Sequence, residues 1–198
     1  MEGSDNGEAF LKQSGLERET INNAYFMAME SMATLNQTGA KLMRKYGSHG
    51  ATDVTGFGIL GHAENLAAAQ RNEVDLIIDR LPVLEQMEQK IEGMPDFKVR
   101  EGYSAETSGG IFAMVDAMKA EDFVNECEQE YGQKAWIIGE VVRGSRQATI
   151  RNDVDIISVS DSIILRWTEG WVNSDLASKD WKIEHIVWKL LSNDEVWC

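Results

Sequence analysis

The residues best suited to chemistry lie in the stretch Gly50-Ala51-Thr52-Asp53-Val54-Thr55-Gly56-Phe57-Gly58-Ile59-Leu60-Gly61-His62. One carboxylate, Asp53, stands among small polar residues and glycines, and an apolar helical pattern follows from about Ile59. Glycines at 56, 58 and 61 let the backbone turn tightly and approach a ligand closely. A helix starting there opens with free N–H groups and turns the positive end of its dipole toward the loop. A carboxylate beside such an end suits a place where a divalent cation meets phosphate oxygens. Asp53 is therefore the candidate metal ligand. A plainer reading stands beside it, in which Asp53 and Thr55 cap the helix and the glycines only turn the chain. One Asp does not make a magnesium site, because Mg²⁺ combines one or two carboxylates with substrate phosphates and waters.

The other polar candidates are weaker. Gly56-Phe57-Gly58-Ile59-Leu60-Gly61 satisfies G-x-G-x-x-G, with Asp75 or Asp79 some way downstream, which raises a dinucleotide-binding (Rossmann) fold. Its context argues otherwise: residues 46–53 read as polar and loop-like where a hydrophobic strand is needed, and Asp53 would repel a pyrophosphate. Thr107-Ser108-Gly109-Gly110 reads as a turn before a strand, its hydroxyls and N–H groups able to meet phosphate or to hold the turn itself. His62 reads as a neutral core or capping histidine, and nothing next to His49 marks it as a base. No H-E-x-x-H, paired C-x-x-C, G-x-S-x-G or phosphate-binding G-x-x-x-x-G-K-[ST] is present, which argues against a self-contained zinc site, hydrolase or P-loop enzyme.

The elements that must position these residues follow from periodicity. Residues 1–18 are polar and acidic, a frayed lead-in. Ile21, Ala24, Tyr25, Ala28, Met32 and Leu35 recur at helical spacing, weakly continued by Ala40, Leu42 and Met43, which predicts one long helix from Thr20 to about Tyr46, with Met27, Met29 and Met32 as packing. A second helix runs from Ile59 to about Gln70. Val74, Leu76 and Ile78 alternate as a strand, and Pro82 opens a short helix carrying Leu84, Met87 and Ile91. Loop residues follow to Tyr103. Gly110–Val115 reads as a buried strand, Ala120–Tyr131 as an amphipathic helix, and Ala135–Val142 as a strand bulged at Gly139. A turn at 143–146 leads to a returning strand from Ala148, with Ile156-Ile157-Val159 as one more. The alternation predicts a mixed sheet packed by helices, with at least one hairpin.

Beyond about residue 160 the character changes. Five of the six tryptophans lie between Trp167 and Trp197, and Ile183, Ile186, Val187, Leu190 and Leu191 form a helical stripe. Tryptophans at this density make a sticky surface unless covered.

The chain has 198 residues, 43% of them hydrophobic, enough for one domain with a core. A formal charge of −14 without a basic run disfavours nucleic acid and anionic membrane as partners. A nucleotide triphosphate bound here would need a cation. Cys127 lies in a helical pattern as a small hydrophobe and Cys198 is terminal, so the pair is no disulfide framework. With no signal-like or long apolar segment, the chain is expected to be soluble and cytoplasmic.

Four segments in order resemble the selenophosphate synthetases. These are Ala51-Thr52-Asp53-Val54-Thr55-Gly56-Phe57-Gly58-Ile59-Leu60-Gly61-His62-Ala63; Arg71-Asn72-Glu73-Val74 with Leu81-Pro82-Val83-Leu84; Glu106-Thr107-Ser108-Gly109-Gly110; and Ala135-Trp136-Ile137-Ile138-Gly139. Ala105 stands where that family commonly has proline. The resemblance covers roughly residues 20–157 and the C-terminal half of such an enzyme. It implies a PurM-like α/β (α+β sandwich) domain over 19–159, an atypical tail over 160–198, and an N-terminal ATP-binding domain outside this chain. It implies the family's reaction, in which ATP, selenide and water give selenophosphate, AMP and phosphate for selenocysteine biosynthesis. It also implies Mg²⁺ and ATP as cofactors, held mainly by the other domain, Asp53 as this half's metal ligand, and a homodimer when full-length. The nucleophile and the lysine would lie in the other domain, so this chain alone is expected to be inactive. Two alternatives remain: a non-catalytic paralogue acting through a partner, and a sister synthetase or kinase of the aminoimidazole-ribonucleotide synthetase superfamily.

Overall fold

A computed structural model describes residues 18–85, 97–159 and 187–192. Its elements are α1 (Arg18–Ala33), α2 (Gln37–Tyr46), β1 (Gly50–Asp53), α3 (Gly58–Ala68), β2 (Val74–Leu84), β3 (Ile111–Asp116), α4 (Ala120–Tyr131), β4 (Ala135–Arg143), β5 (Ala148–Val159) and β6 (Val187–Ser192). The strands form one sheet in the order β1-β3-β6-β4-β2-β5. β1–β3 and β2–β4 are antiparallel, while β3–β6, β4–β6 and β2–β5 are parallel. The mixed α/β architecture expected from the pattern is therefore present.

β3 shows why the sheet needs helices on both faces. Its residues Ile111 to Val115 are all buried, without alternation. Phe112 and Met114 join Val54, Ile59, Leu60 and Ala63 in one core, and Ile111, Ala113 and Val115 join Leu42, Phe123 and Cys127 in another. Successive side chains point to opposite faces, so α3 covers one side and α2 with α4 the other. Burying Phe112 or Phe123 contributes about 1.5–3 kcal/mol each.

Several expectations are corrected. The long first helix is two, because Thr34 Oγ1 donates back to the Glu30 carbonyl and Asn36 Nδ2 is drawn off to the Gly109 carbonyl at 3.1 Å. Such local side-chain bonds compete with helix continuation. α2 ends as expected, at Gly47 in the left-handed region (φ 69°). Of the methionine stripe only Met27 is buried; Met29 and Met32 are exposed, as are Tyr25 and Leu35. Pro82 starts no helix: β2 runs through it, paired with Ile157 of β5. The strand tolerates proline there because β4 pairs β2 only over Val74–Ile78, so no ladder donor is lost toward β4. Met87 and Ile91 lie outside the described residues.

The expected hairpin is also absent from this part of the sheet. β4 and β5 are joined by a tight turn yet do not pair, because β2 lies between them. The turn straddles the start of β2: Ser145 and Gln147 N–H groups donate to Asp75 Oδ1 at 2.7 and 2.9 Å, and Gly144 N–H to the Glu73 carbonyl at 2.9 Å. The bulge at Gly139 is present as a register shift between Ile137 and Gly139 against β6. A Cβ at Gly139 would stand 2.0 Å from the Ile77 carbonyl oxygen, so only glycine fits. The helical stripe expected in the tail is a strand over Val187–Ser192; Ile183 and Ile186 lie outside the described residues. Among the described residues no helix is long and apolar enough to cross a membrane.

α2 and α4 are latched by Glu126, whose Oε2 accepts from Lys45 Nζ at 2.5 Å and Tyr46 Oη at 2.6 Å. The hydrogen bond to Glu126 raises the Tyr46 phenol from 10.0 to about 12, and the bond from Lys45 leads the lowering of Glu126 from 4.5. Lowering the carboxylate's pKa gives stability that is present above pH 4.5 and lost as pH falls through the folded value. Raising the phenol's gives stability that is full below pH 10.0 and lost as pH rises toward about 12. Thermal melts should therefore show Glu126→Gln less stable than the parent between those limits, with the two converging at either extreme. A pH-independent gap would mean that the latch does not act through charge.

Candidate functional site

β1 is short, and it delivers Asp53 at its end, in register with Ile111 of β3. The next residue, Val54, is fully buried, and its N–H donates to the Gly110 carbonyl at 2.9 Å. The Thr55 carbonyl in turn accepts the Glu106 N–H at 3.0 Å. These two bonds bring together the two motifs singled out in the sequence, the Asp53 loop and the turn at 106–110. A Cβ at Gly109 would lie 2.1 Å from the Val54 carbonyl oxygen, so the approach requires glycine. Ser108 beside it adopts φ 50°, a left-handed conformation rarely held by a non-glycine residue. Asn36 clamps the turn from the α1–α2 junction through Gly109. Sequence reasoning missed Asn36; the signal was an asparagine in the middle of a supposed helix, where it is a poor fit.

The Asp53 carboxylate is exposed, and no ion pair or side-chain hydrogen bond engages it among the described residues. Thr107 and Ser108 are exposed as well. The upstream segment is not wholly loop, as Gly50–Asp53 is a strand. Among the described residues that strand pairs only with β3, antiparallel, and lies far from β2 in the sheet, so they form no parallel βαβ nucleotide unit. Asp75, the acid such a unit would use, instead holds the turn after β4.

The start of α3 differs from expectation. Its N-cap is Phe57, with no side-chain capping bond, so neither Asp53 nor Thr55 caps through its side chain. The Thr55 carbonyl takes the Gly58 N–H at 3.1 Å, and the Gly102 carbonyl takes the Leu60 N–H at 2.9 Å. Two donors expected to be free for an anion are thus used by the chain itself. Gly58 makes this possible, with φ 71° and a phantom Cβ only 2.5 Å from the Gly102 oxygen. From the sequence alone Gly102 reads only as a loop residue.

His62 is buried, and its Nε2 accepts the Thr55 N–H at 2.9 Å and meets Thr55 Oγ1 at 3.1 Å. Because Nε2 accepts from the backbone, the N–H of the ring is on Nδ1. The ring also packs on Phe57, centroids 5.4 Å apart. His62 thus holds the loop, as the capping reading anticipated. The backbone N–H of His49 donates to the Met114 carbonyl at 3.0 Å, at the β1–β3 junction. Cys127 is buried; Cys198 and His185 lie outside the described residues. Among the described residues no three His, Cys, Asp or Glu side chains gather into a metal-holding group.

Removing the imidazole should strand the Thr55 N–H. His62→Ala is expected to lose about 1–3 kcal/mol in denaturant unfolding. A loss within about 0.5 kcal/mol, the range of an inert surface change, would show that the loop is held by its backbone bonds alone.

Residues 4–152 match the family described as AIR synthase related protein, C-terminal domain. The chain is 43% identical over 159 residues to selenide, water dikinase 2 of Homo sapiens, covering 78% of this chain and 36% of that protein. It is 40% identical over 156 residues to the selenide, water dikinase of Trypanosoma brucei brucei, covering 76% and 40%. It is 39% identical over 145 residues to the probable selenide, water dikinase of Caenorhabditis elegans, covering 71% and 38%. The chain therefore spans less than half the length of these curated relatives. With the family match running through β1, α3, the turn at 106–110, β4 and the start of β5, the chain belongs to the AIR-synthase-related family and carries its C-terminal domain.

Proposed function

We propose that this chain is the C-terminal half of a selenide, water dikinase, and that Asp53 is the ligand it contributes to a magnesium–nucleotide site completed by another domain. The proposed reaction converts ATP, selenide and water to selenophosphate, AMP and phosphate in a cytoplasmic enzyme that is a homodimer when full-length. The observation that carries the reading is the contrast at Asp53. Its neighbours Val54 and Thr55 have their backbone groups committed to the turn at 106–110 and to His62, while its own carboxylate is exposed and unengaged among the described residues. A carboxylate that engages nothing among the described residues, fixed at the end of a paired strand, is suited to act on something beyond them.

The donor set fits such a metal in kind and not in number. A single hard oxygen anion suits Mg²⁺, which prefers one or two carboxylates with phosphates and waters. The described residues supply no further cluster. When bound, Mg²⁺ neutralises charge developing on the transferring phosphoryl oxygens. The chain's own residues do the positioning. Gly109 lets the turn close on Val54, His62 fixes Thr55, and together they set where the carboxylate stands. In this reading Thr107 and Ser108, exposed on the same clamped turn, would donate to phosphate oxygens.

In the assembled enzyme, Asp53→Asn should lower selenide-dependent AMP formation at least about 100-fold, as loss of metal support does. In the 198-residue chain the same change should leave unfolding within about 0.5 kcal/mol of the parent. Unchanged turnover and magnesium dependence in the assembled variant would overturn the assignment. The chain by itself should release no AMP from ATP and selenide, and measurable selenide-dependent release would show that the site is complete without a second domain.

A further inference from the structure

The family match ends at residue 152, yet the strand at the centre of the sheet, β6, is Val187–Ser192. It pairs in parallel with β3 over Phe112–Asp116 and with β4 over Ala135–Val141. Among the described residues no other strand joins the β1–β3 pair to the β4–β2–β5 group. Without it, two strand edges would face each other unpaired. Those edges belong to residues that cannot turn to water: Phe112, Ala113, Met114, Val115, Ile138 and Val141 are all fully buried. Buried backbone N–H and C=O groups left unpaired are costly and rare, so the gap demands a strand.

We infer that the gap between β3 and β4 is a strand-addition site, that its occupant is an extended segment running parallel to both, and that the chain's own tail, residues 187–192, fills it in cis. Direction supports the cis assignment. β5 is parallel to β2, β2 antiparallel to β4, and β4 parallel to β6, so β6 runs antiparallel to β5. The end of β5 at Val159 and the start of β6 at Val187 therefore lie at the same end of the sheet. Three strand spacings separate them, about 14 Å. The intervening chain, at about 3.3 Å per residue, can span several times that. An intramolecular strand also enters at a high effective concentration, which an external competitor has to exceed.

The site has a consequence for Asp53. β3 begins just after Gly110, whose carbonyl holds Val54, and among the described residues β1 pairs only with β3. A two-stranded ribbon is marginal alone. The tail strand thus ties the Asp53-bearing ribbon to the rest of the sheet, and its release loosens the loop that carries the carboxylate.

Two measurements on the full chain test this, and neither involves nucleotide or selenide. In a Cys198→Ser background, Asp116→Cys with Ser192→Cys joins register partners at the ends of β3 and β6, where Asp116 is partly exposed. A short thiol-bridging reagent should link them within one molecule, and much faster than the off-register pair Asp116→Cys with Leu190→Cys. Equal rates for the two pairs would overturn the site, and linked dimers alone would overturn its filling in cis. In hydrogen exchange, Leu190→Pro should speed amides at 112–116 and 136–141 by roughly tenfold or more while sparing the β2–β5 pair at 80–84. Unchanged exchange at 112–116 and 136–141 would overturn the proposal, and if that variant does not fold, the cross-linking pair still decides.

Discussion

The close approach of two backbones, at Val54 and Gly109–Gly110, is the constraint on which the rest depends. A methyl group at residue 109 would stand 2.1 Å from the Val54 oxygen, and without that approach the Val54 N–H could not reach Gly110. Everything near the candidate ligand follows from the contact. Thr55 is placed where its carbonyl takes both the Glu106 and Gly58 N–H groups, and where its own N–H finds His62. The start of α3 is consequently satisfied by carbonyls, and the carboxylate one residue before Val54 is left over. The site is a by-product of backbone closure and owes little to side-chain chemistry of its own.

Much of this was legible in the residues. Strong periodicity or a continuous apolar run set β3, α4 and β4, and the bulge at Gly139 was readable because a glycine inside a strand signals close backbone approach. The pairing of the Asp53 loop with the turn at 106–110 was not, because backbone hydrogen bonds between distant segments leave no local pattern. The glycines at 58 and 109 marked the place without naming the partner. Periodicity misled where tertiary contact overrode it. Tyr25, Met32 and Leu35 share a helical stripe but lie exposed, and Val187, Leu190 and Leu191, spaced with their neighbours for a helix, lie in a strand of the sheet. Pro82 misled in a different way: its meaning depends on which side of β2 lacks a neighbour, and that is a property of the sheet.

The sheet explains why the helices can be few. Because β3 is buried on both faces, each helix layer has a ready apolar floor, and α3 serves one side with Ile59, Leu60, Ala63 and Ala67. That helix is anchored at its start by Gly58, Thr55 and Gly102, so packing and loop geometry constrain each other. The other layer is tied by Glu126 of α4, whose carboxylate accepts from Lys45 and Tyr46 of α2.

Electrostatics then narrows what can meet Asp53. The chain carries a formal charge of −14, and two of the N–H donors at the start of α3 are spent on its own carbonyls. A bare phosphate approaching the carboxylate would meet like charge, worth about 4 kcal/mol of repulsion at 4 Å with an effective dielectric of 20. No lysine or arginine among the described residues pairs with Asp53 to offset it. A divalent cation placed between the two reverses the sign of both interactions at once. A carboxylate on such a loop is thus suited to an anionic ligand only with a metal between them, and the same geometry explains why a glycine-rich turn beside a helix start need not be a phosphate cradle.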